Sequence, residues 1–101
     1  MENIAIDLKE NILFVKGSLN FYNVESAYQQ GLKLMKALQD IKIDLKGLAA
    51  SDSSGLALLS AWVRMCRQQN KAILFNNMPS FMQDISRVCG LDGVLPVVWE
   101  N

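Results

Sequence analysis

Hydrophobic and polar positions change rhythm several times along this chain, and each change marks an element. Ile4, Ile6 and Leu8 alternate with Ala5 and Asp7, so Asn3 to Leu8 is predicted as a strand. Ile12 to Lys16 is a second strand, and only Lys9-Glu10-Asn11 lies between them, which predicts a hairpin. Gly17-Ser18 then breaks the pattern. From Val24 to Gln39 the period lengthens. Val24, Ala27, Tyr28, Gly31, Leu34, Met35 and Leu38 fall on one helical face, with Asn23 placed to cap it. Ile41 to Leu45 is a short strand rich in β-branched residues, Lys46 to Asp52 a loop, and Ser54 to Gln69 a second helix. Ala72 to Phe75 is the next strand. Pro79 can open a third helix, with Phe81, Met82, Ile85 and Val88 as its apolar stripe. Gly90 sits where a left-handed C-cap belongs, and Leu91 can supply the accompanying contact. Val94 to Val98 is a last strand, placed at an edge by Pro96.

The order β-β-α-β-α-β-α-β predicts parallel pairing through right-handed crossovers, with antiparallel pairing in the opening hairpin. The expected fold class is α/β: a mixed β-sheet with an N-terminal hairpin and helices packed on the sheet. No linker, internal repeat or low-complexity stretch divides the 101 residues, so 1–101 is expected to be one domain. Half of the residues are apolar, too many for a disordered chain. Ten Lys and Arg balance ten Asp and Glu, which leaves no basic footprint for nucleic acid.

There is no histidine, which excludes Ser-His-Asp and Cys-His nucleophiles and an ordinary Cys/His zinc site. No cofactor or metal is expected. Cys66 and Cys89 lie in apolar, helical stretches and are expected to be reduced core thiols. The acids Asp7, Glu10, Asp40, Asp44 and Asp84 show no spacing that suggests a catalytic pair, so the chain is not expected to be an enzyme. A small-molecule or lipid-binding protein would need a sizeable apolar pocket, for which 101 residues leave little room. Glu2 and Asp7 argue against a signal peptide, and no uncharged stretch is long enough to span a bilayer, so a cytoplasmic protein without direct membrane insertion is expected.

The most informative stretch runs from Asp44 to Leu59. A strand ends, a loop of small residues follows, and a helix begins at Asp52-Ser53-Ser54-Gly55. Free backbone amides and the positive end of the helix dipole converge there. Such a terminus can hold an anion or favour a phosphate on one of its own serines, although Asp and Ser are also simply good N-caps. The Gly-Lys-Ser/Thr end of a Walker A loop is absent. On the helix that follows, Leu56, Val63, Leu59, Cys66, Trp62, Leu58, Met65 and Ala61 cover an arc of roughly 220°, wider than the ~100° stripe that one packed face requires. The surplus is either covered by a neighbouring helix or is a partner-binding surface. Ser54 lies beside Leu58, Ala61 and Met65 on this wheel. With Ser54 facing solvent, the expected partner contacts are Ser53, Ser54, Ala57, Leu58, Ala61 and Met65.

At these residues the sequence resembles a STAS domain, the family of anti-sigma factor antagonists and of the cytoplasmic portions of sulfate transporters. The resemblance covers nearly the whole chain. It rests on Gly17-Ser18-Leu19-Asn20, on Ile43-Asp44-Leu45, on Asp52-Ser53-Ser54-Gly55-Leu56 and on Cys89-Gly90-Leu91. Two branches are similar. In anti-sigma factor antagonists, the second serine of Asp-Ser-Ser-Gly is phosphorylated by a partner serine kinase, which implies Ser54 here. In the MlaB-like branch, a small STAS subunit binds the ATPase of a phospholipid-transporting ABC complex that maintains outer-membrane lipid asymmetry. There the important hydroxyl directly follows the aspartate, which implies Ser53. Gly55-Leu56-Ala57-Leu58-Leu59 and Leu91-Asp92-Gly93-Val94-Leu95-Pro96 look more like the second branch. Asn20 stands where the antagonists usually carry an acid. The resemblance implies a non-catalytic adaptor, held at the inner membrane through its partner.

Overall fold

The computed structural model describes residues 4–88 and 97–98. Strands β1 (Ile4–Lys9) and β2 (Ile12–Leu19) form the predicted antiparallel hairpin. Glu10 and Asn11 close it at φ 53° and 65°, the two positive values that a tight hairpin turn needs to match the strand twist. That turn sets the register, pairing Ile6 with Val15 and Leu8 with Leu13. Ile6, Leu13 and Val15 are consequently buried, while Asp7 and Lys16 are exposed.

Gly17-Ser18 does not end β2. The strand continues to Leu19, and the predicted break is an irregularity in pairing, with Gly17 at φ 102°. The cause lies in the segment expected to be a loop. After β3 (Asp40–Asp44), Leu48–Ser51 forms β4, parallel to the second half of β2. The first half of β2 pairs with β3 instead, so β3 and β4 share one long edge. A turn closed by the Leu48 amide donating to the Leu45 carbonyl steps between them. Beyond β3, β5 (Ala72–Asn76) and β6 (Val97–Val98) add in parallel, giving the order β1-β2-β3-β5-β6 among the described residues. Most of the predicted last strand, with Gly90, Leu91 and Cys89, lies outside the described residues.

Consecutive parallel strands lie side by side, so right-handed crossovers carry α1 (Val24–Met35), α2 (Ser53–Gln68) and α3 (Ser80–Val88) over one face of the sheet. Strand burial agrees: Ile41 and Ile43 are buried, whereas Asp40 and Lys42 are exposed. Helix α1 stops at Met35, short of the predicted Gln39. Lys71 Nζ reaches across from the start of β5 and donates to the Met35 and Lys36 carbonyls, at 3.0 Å each. A cation there satisfies end-of-helix acceptors and the negative end of the dipole. Asn23 holds the N-cap position but makes no side-chain cap bond. On α3 the buried positions are Met82 and Ser86, joined by Met78 ahead of the helix, and the predicted stripe residue Val88 is exposed.

Trp62 sits between α1 and α2 with no exposed surface. Its indole Nε1 donates to the Tyr28 carbonyl at 3.4 Å, so the ring is satisfied as well as buried. Opposite it, α1 presents Gly31. A Cβ there would lie 2.7 and 2.8 Å from Trp62 Cε2 and Nε1. The glycine is what lets the two helices close around the indole.

Candidate functional site

Asp52 ends the loop after β4 and caps α2, accepting a 2.9 Å bond from the Ser54 amide. The Ser54 hydroxyl donates to the same Asp52 Oδ1. That hydroxyl bond, more than any other influence, holds the Asp52 carboxyl below the usual carboxylate range; desolvation, the next largest influence, opposes it, and backbone amides add smaller lowering contributions. Asp52 is therefore ionised at neutral pH, and Ser54 is half-buried with its proton engaged. Ser53 is exposed, and among the described residues its hydroxyl makes no hydrogen bond. Gly55 is buried, and a Cβ there would overlap Ser51 Oγ and lie 3.4 Å from Met82 Cε. The first turn of α2 is thus anchored on β4 and α3 while its hydroxyl edge stays at the surface.

Capping makes a direct prediction. Asp52→Ala should cost about 1 kcal/mol of folding stability, the usual worth of a side-chain N-cap, read from urea unfolding at neutral pH. Because the folded-state pKa is depressed, this contribution is present above the ordinary carboxylate pKa and lost as pH falls through the lowered value. The gap between wild type and Asp52→Ala should therefore narrow on acidification. A gap that widens below neutral pH contradicts this account of the cap.

A turn missed in the sequence reading lies against this terminus. Asn20 Oδ1 accepts from the Tyr22 and Asn23 amides, and Asn23 Nδ2 donates to the Ser18 carbonyl at 2.8 Å. Tied at both ends, the turn holds Phe21 and Tyr22 in solvent at 79% and 95% exposure. Their rings meet edge to face, 6.4 Å apart. Two adjacent aromatics between two asparagines, in a stretch without helical or strand period, were the available signal.

Beside the turn is a cleft of about 240 Å³ between α1 and α2, lined by Val24, Glu25, Tyr28, Ala57, Leu58 and Ala61. Its size decides what it can take. It exceeds the ~150 Å³ that holds a benzene ring, and falls short of the ~300 Å³ at which small-molecule pockets begin. One large apolar side chain fits. The six expected contact residues of the serine loop and helix flank divide accordingly. Ser53 and Ala57 are exposed, and Ser54, Ala61 and Met65 are half-buried. Leu58 is 2% exposed, which corrects the expectation of a free contact residue. Helix α1 covers that part of the wide apolar arc, and Leu58 is reachable only as a cleft wall.

Other candidate chemistry is structural. Cys66 is buried, and desolvation raises its thiol pKa against the opposing pull of Lys71, which leaves an inert thiol. Asp44 accepts from the Lys46 amide and from Asn77 Nδ2, pinning the turn after β3. Among the described residues no three His, Cys, Asp or Glu side chains group to hold a metal ion, and no helix is long and apolar enough to cross a membrane.

A hairpin followed by parallel strands, with Asp-Ser-Ser-Gly opening the central helix, is matched by the family model described as "Mlab, STAS domain" over residues 3–97. The chain belongs to the MlaB-type STAS domain family. A solved chain of the Acinetobacter MlaFEDB complex, in an ATP-bound conformation, is 32% identical with a TM-score of 0.80, over 93% of this chain and 99% of that one. The anti-sigma factor antagonist SpoIIAA in its unphosphorylated form matches at 16% identity and TM-score 0.71, over 97% of this chain and 90% of that one. Phosphorylated SpoIIAA of Bacillus matches at 17% and 0.66, over 97% and 93%. The STAS fold is common to both sets. No curated protein sequence matches the chain.

Proposed function

We propose that this STAS domain is a non-catalytic adaptor that binds the cytoplasmic ATPase of a phospholipid-transporting ABC complex and supports its assembly and activity. The observation that carries this reading is the 32% identity, nearly end to end, to a chain of the Acinetobacter MlaFEDB complex. SpoIIAA at 16% shares the fold only. The local chemistry of the serine pair agrees. Ser53 offers a free, exposed hydroxyl at the start of α2, as a partner contact requires. The Ser54 hydroxyl already donates its hydrogen bond to Asp52, and a phosphate there would add about −1.5 to −2 charges beside an ionised carboxylate.

Co-purification with the ATPase, followed by ATP turnover of the assembled transporter, tests the reading. The domain should co-purify with the ATPase and raise turnover of the assembled complex. Ser53→Ala should weaken the association more than Ser54→Ala. The second reading, an anti-sigma factor antagonist controlled by a serine kinase at Ser54, draws on the Asp-Ser-Ser-Gly motif. It prevails if Ser54→Asp alone abolishes partner binding and both Ser53→Ala and Ser53→Asp are silent.

A further inference from the structure

Three features of the α1–α2 surface remain available to a partner. Phe21 and Tyr22 are held almost fully in solvent by a turn that the two asparagines make rigid. The cleft beside them is apolar and sized for one large side chain. Glu25, Asp52 and Arg64 also form no ion pair among the described residues, where the only salt bridge joins Asp84 to Arg87. The charges are ordered along the surface. Ser51, next to Asp52, pairs with Leu19 just ahead of the aromatic turn, and Glu25 lines the cleft just after it, so both carboxylates lie at the aromatic end. Arg64 lies on the same stripe of α2 as Ala57, two turns further on, and is exposed.

We propose that this surface binds a single segment of the partner ATPase with a fixed polarity: an Arg or Lys at the Phe21–Tyr22 end, a large apolar side chain in the cleft, and an acid towards Arg64. The proposal rests on the adaptor reading and specifies the segment it would recognise. Charge complementarity sets the orientation. A cation at one end meets the ring faces and two carboxylates that have no ion-pair partner among the described residues, which reinforce each other, whereas a reversed segment sets like charges against each other at both ends. Exposed aromatics beside an apolar pocket are also the residue types that concentrate binding energy at interfaces.

Titrating the purified cognate ATPase with wild-type and variant domains by calorimetry tests this. The Phe21→Ala/Tyr22→Ala double variant should weaken binding at least about tenfold, and Tyr22→Phe should keep most of the affinity because the ring face remains. Both positions are solvent-exposed, so the alanine variant should melt as wild type does. Glu25→Lys should weaken binding too, and the loss should shrink as ionic strength rises from roughly 0.05 to 0.5 M. Wild-type binding that both the double alanine variant and Glu25→Lys leave unchanged overturns this proposal while the adaptor reading stands. No binding by the wild-type domain overturns both.

Discussion

Trp62→Ala is expected to cost about 3–5 kcal/mol of folding stability, the range for emptying an aromatic site in a core. Domains of this size have only about 5–15 kcal/mol in total, and each kcal/mol moves the melting temperature by roughly 4–8 °C. The midpoint should therefore fall by more than about 10 °C. Trp62 has no exposed surface, fills the seam between α1 and α2, and satisfies its indole N–H on the Tyr28 carbonyl. The cleft is built across the same seam, so ATPase binding should fail together with stability.

Gly31 supplies a sharper form of the same test. In an ordinary helix interior, Gly→Ala stabilises by about 1 kcal/mol. Here the added methyl would sit 2.7 Å from Trp62 Cε2, against a ring that its burial holds in place. Overpacking of this kind costs about 1–3 kcal/mol, so Gly31→Ala should destabilise the wild type. With Trp62→Phe the overlapping ring atoms are gone, and Gly31→Ala should become neutral or stabilising. A double-mutant cycle in urea should yield a coupling above about 1 kcal/mol. Additivity within about 0.5 kcal/mol would falsify the packing account.

The seam also marks where sequence reasoning stopped. The hairpin was legible because short-range pattern determines it, although Lys9, expected in the connection with Glu10 and Asn11, ends β1 and leaves a two-residue turn. The β4 strand was not: Leu48-Ala49-Ala50-Ser51 has little strand propensity, and it is extended because the second half of β2 has an edge to share. The end of α1 depends on Lys71, a residue 36 positions beyond the Met35 carbonyl it caps. At the site, Asp52 as cap and the serine edge were visible in local chemistry, and the apolar arc on α2 is real. Which part of the arc stays open was not visible, because the choice is made by α1 closing on Trp62 through Gly31. That closure buries Leu58 and leaves Ala57 at the rim. Phe21 and Tyr22 carry no period, and their exposure comes from a bond network around Asn20 that only the folded turn assembles.

Ala57 is where docking and folding separate most cleanly, so Ala57→Arg carries the second large expected effect. The residue is exposed, and arginine is a good helix former, so unfolding free energy should stay within about 0.5 kcal/mol of wild type. The new side chain would lie across the cleft that Ala57 now walls. It would block entry of an apolar side chain and bring a cation beside Glu25 and Asp52, neutralising the end of the surface that selects for one. Steric and electrostatic losses add, and ATPase affinity should fall by at least about 100-fold, near 2.7 kcal/mol. Ala37→Arg, just past the end of α1 and also exposed, adds the same charge away from the cleft and should leave affinity unchanged. The comparison isolates position from net charge. If Ala57→Arg folds normally and binds the ATPase as wild type does, the partner docks elsewhere on the domain. If both variants lose affinity equally, the effect is bulk electrostatics, and the cleft has no part in recognition.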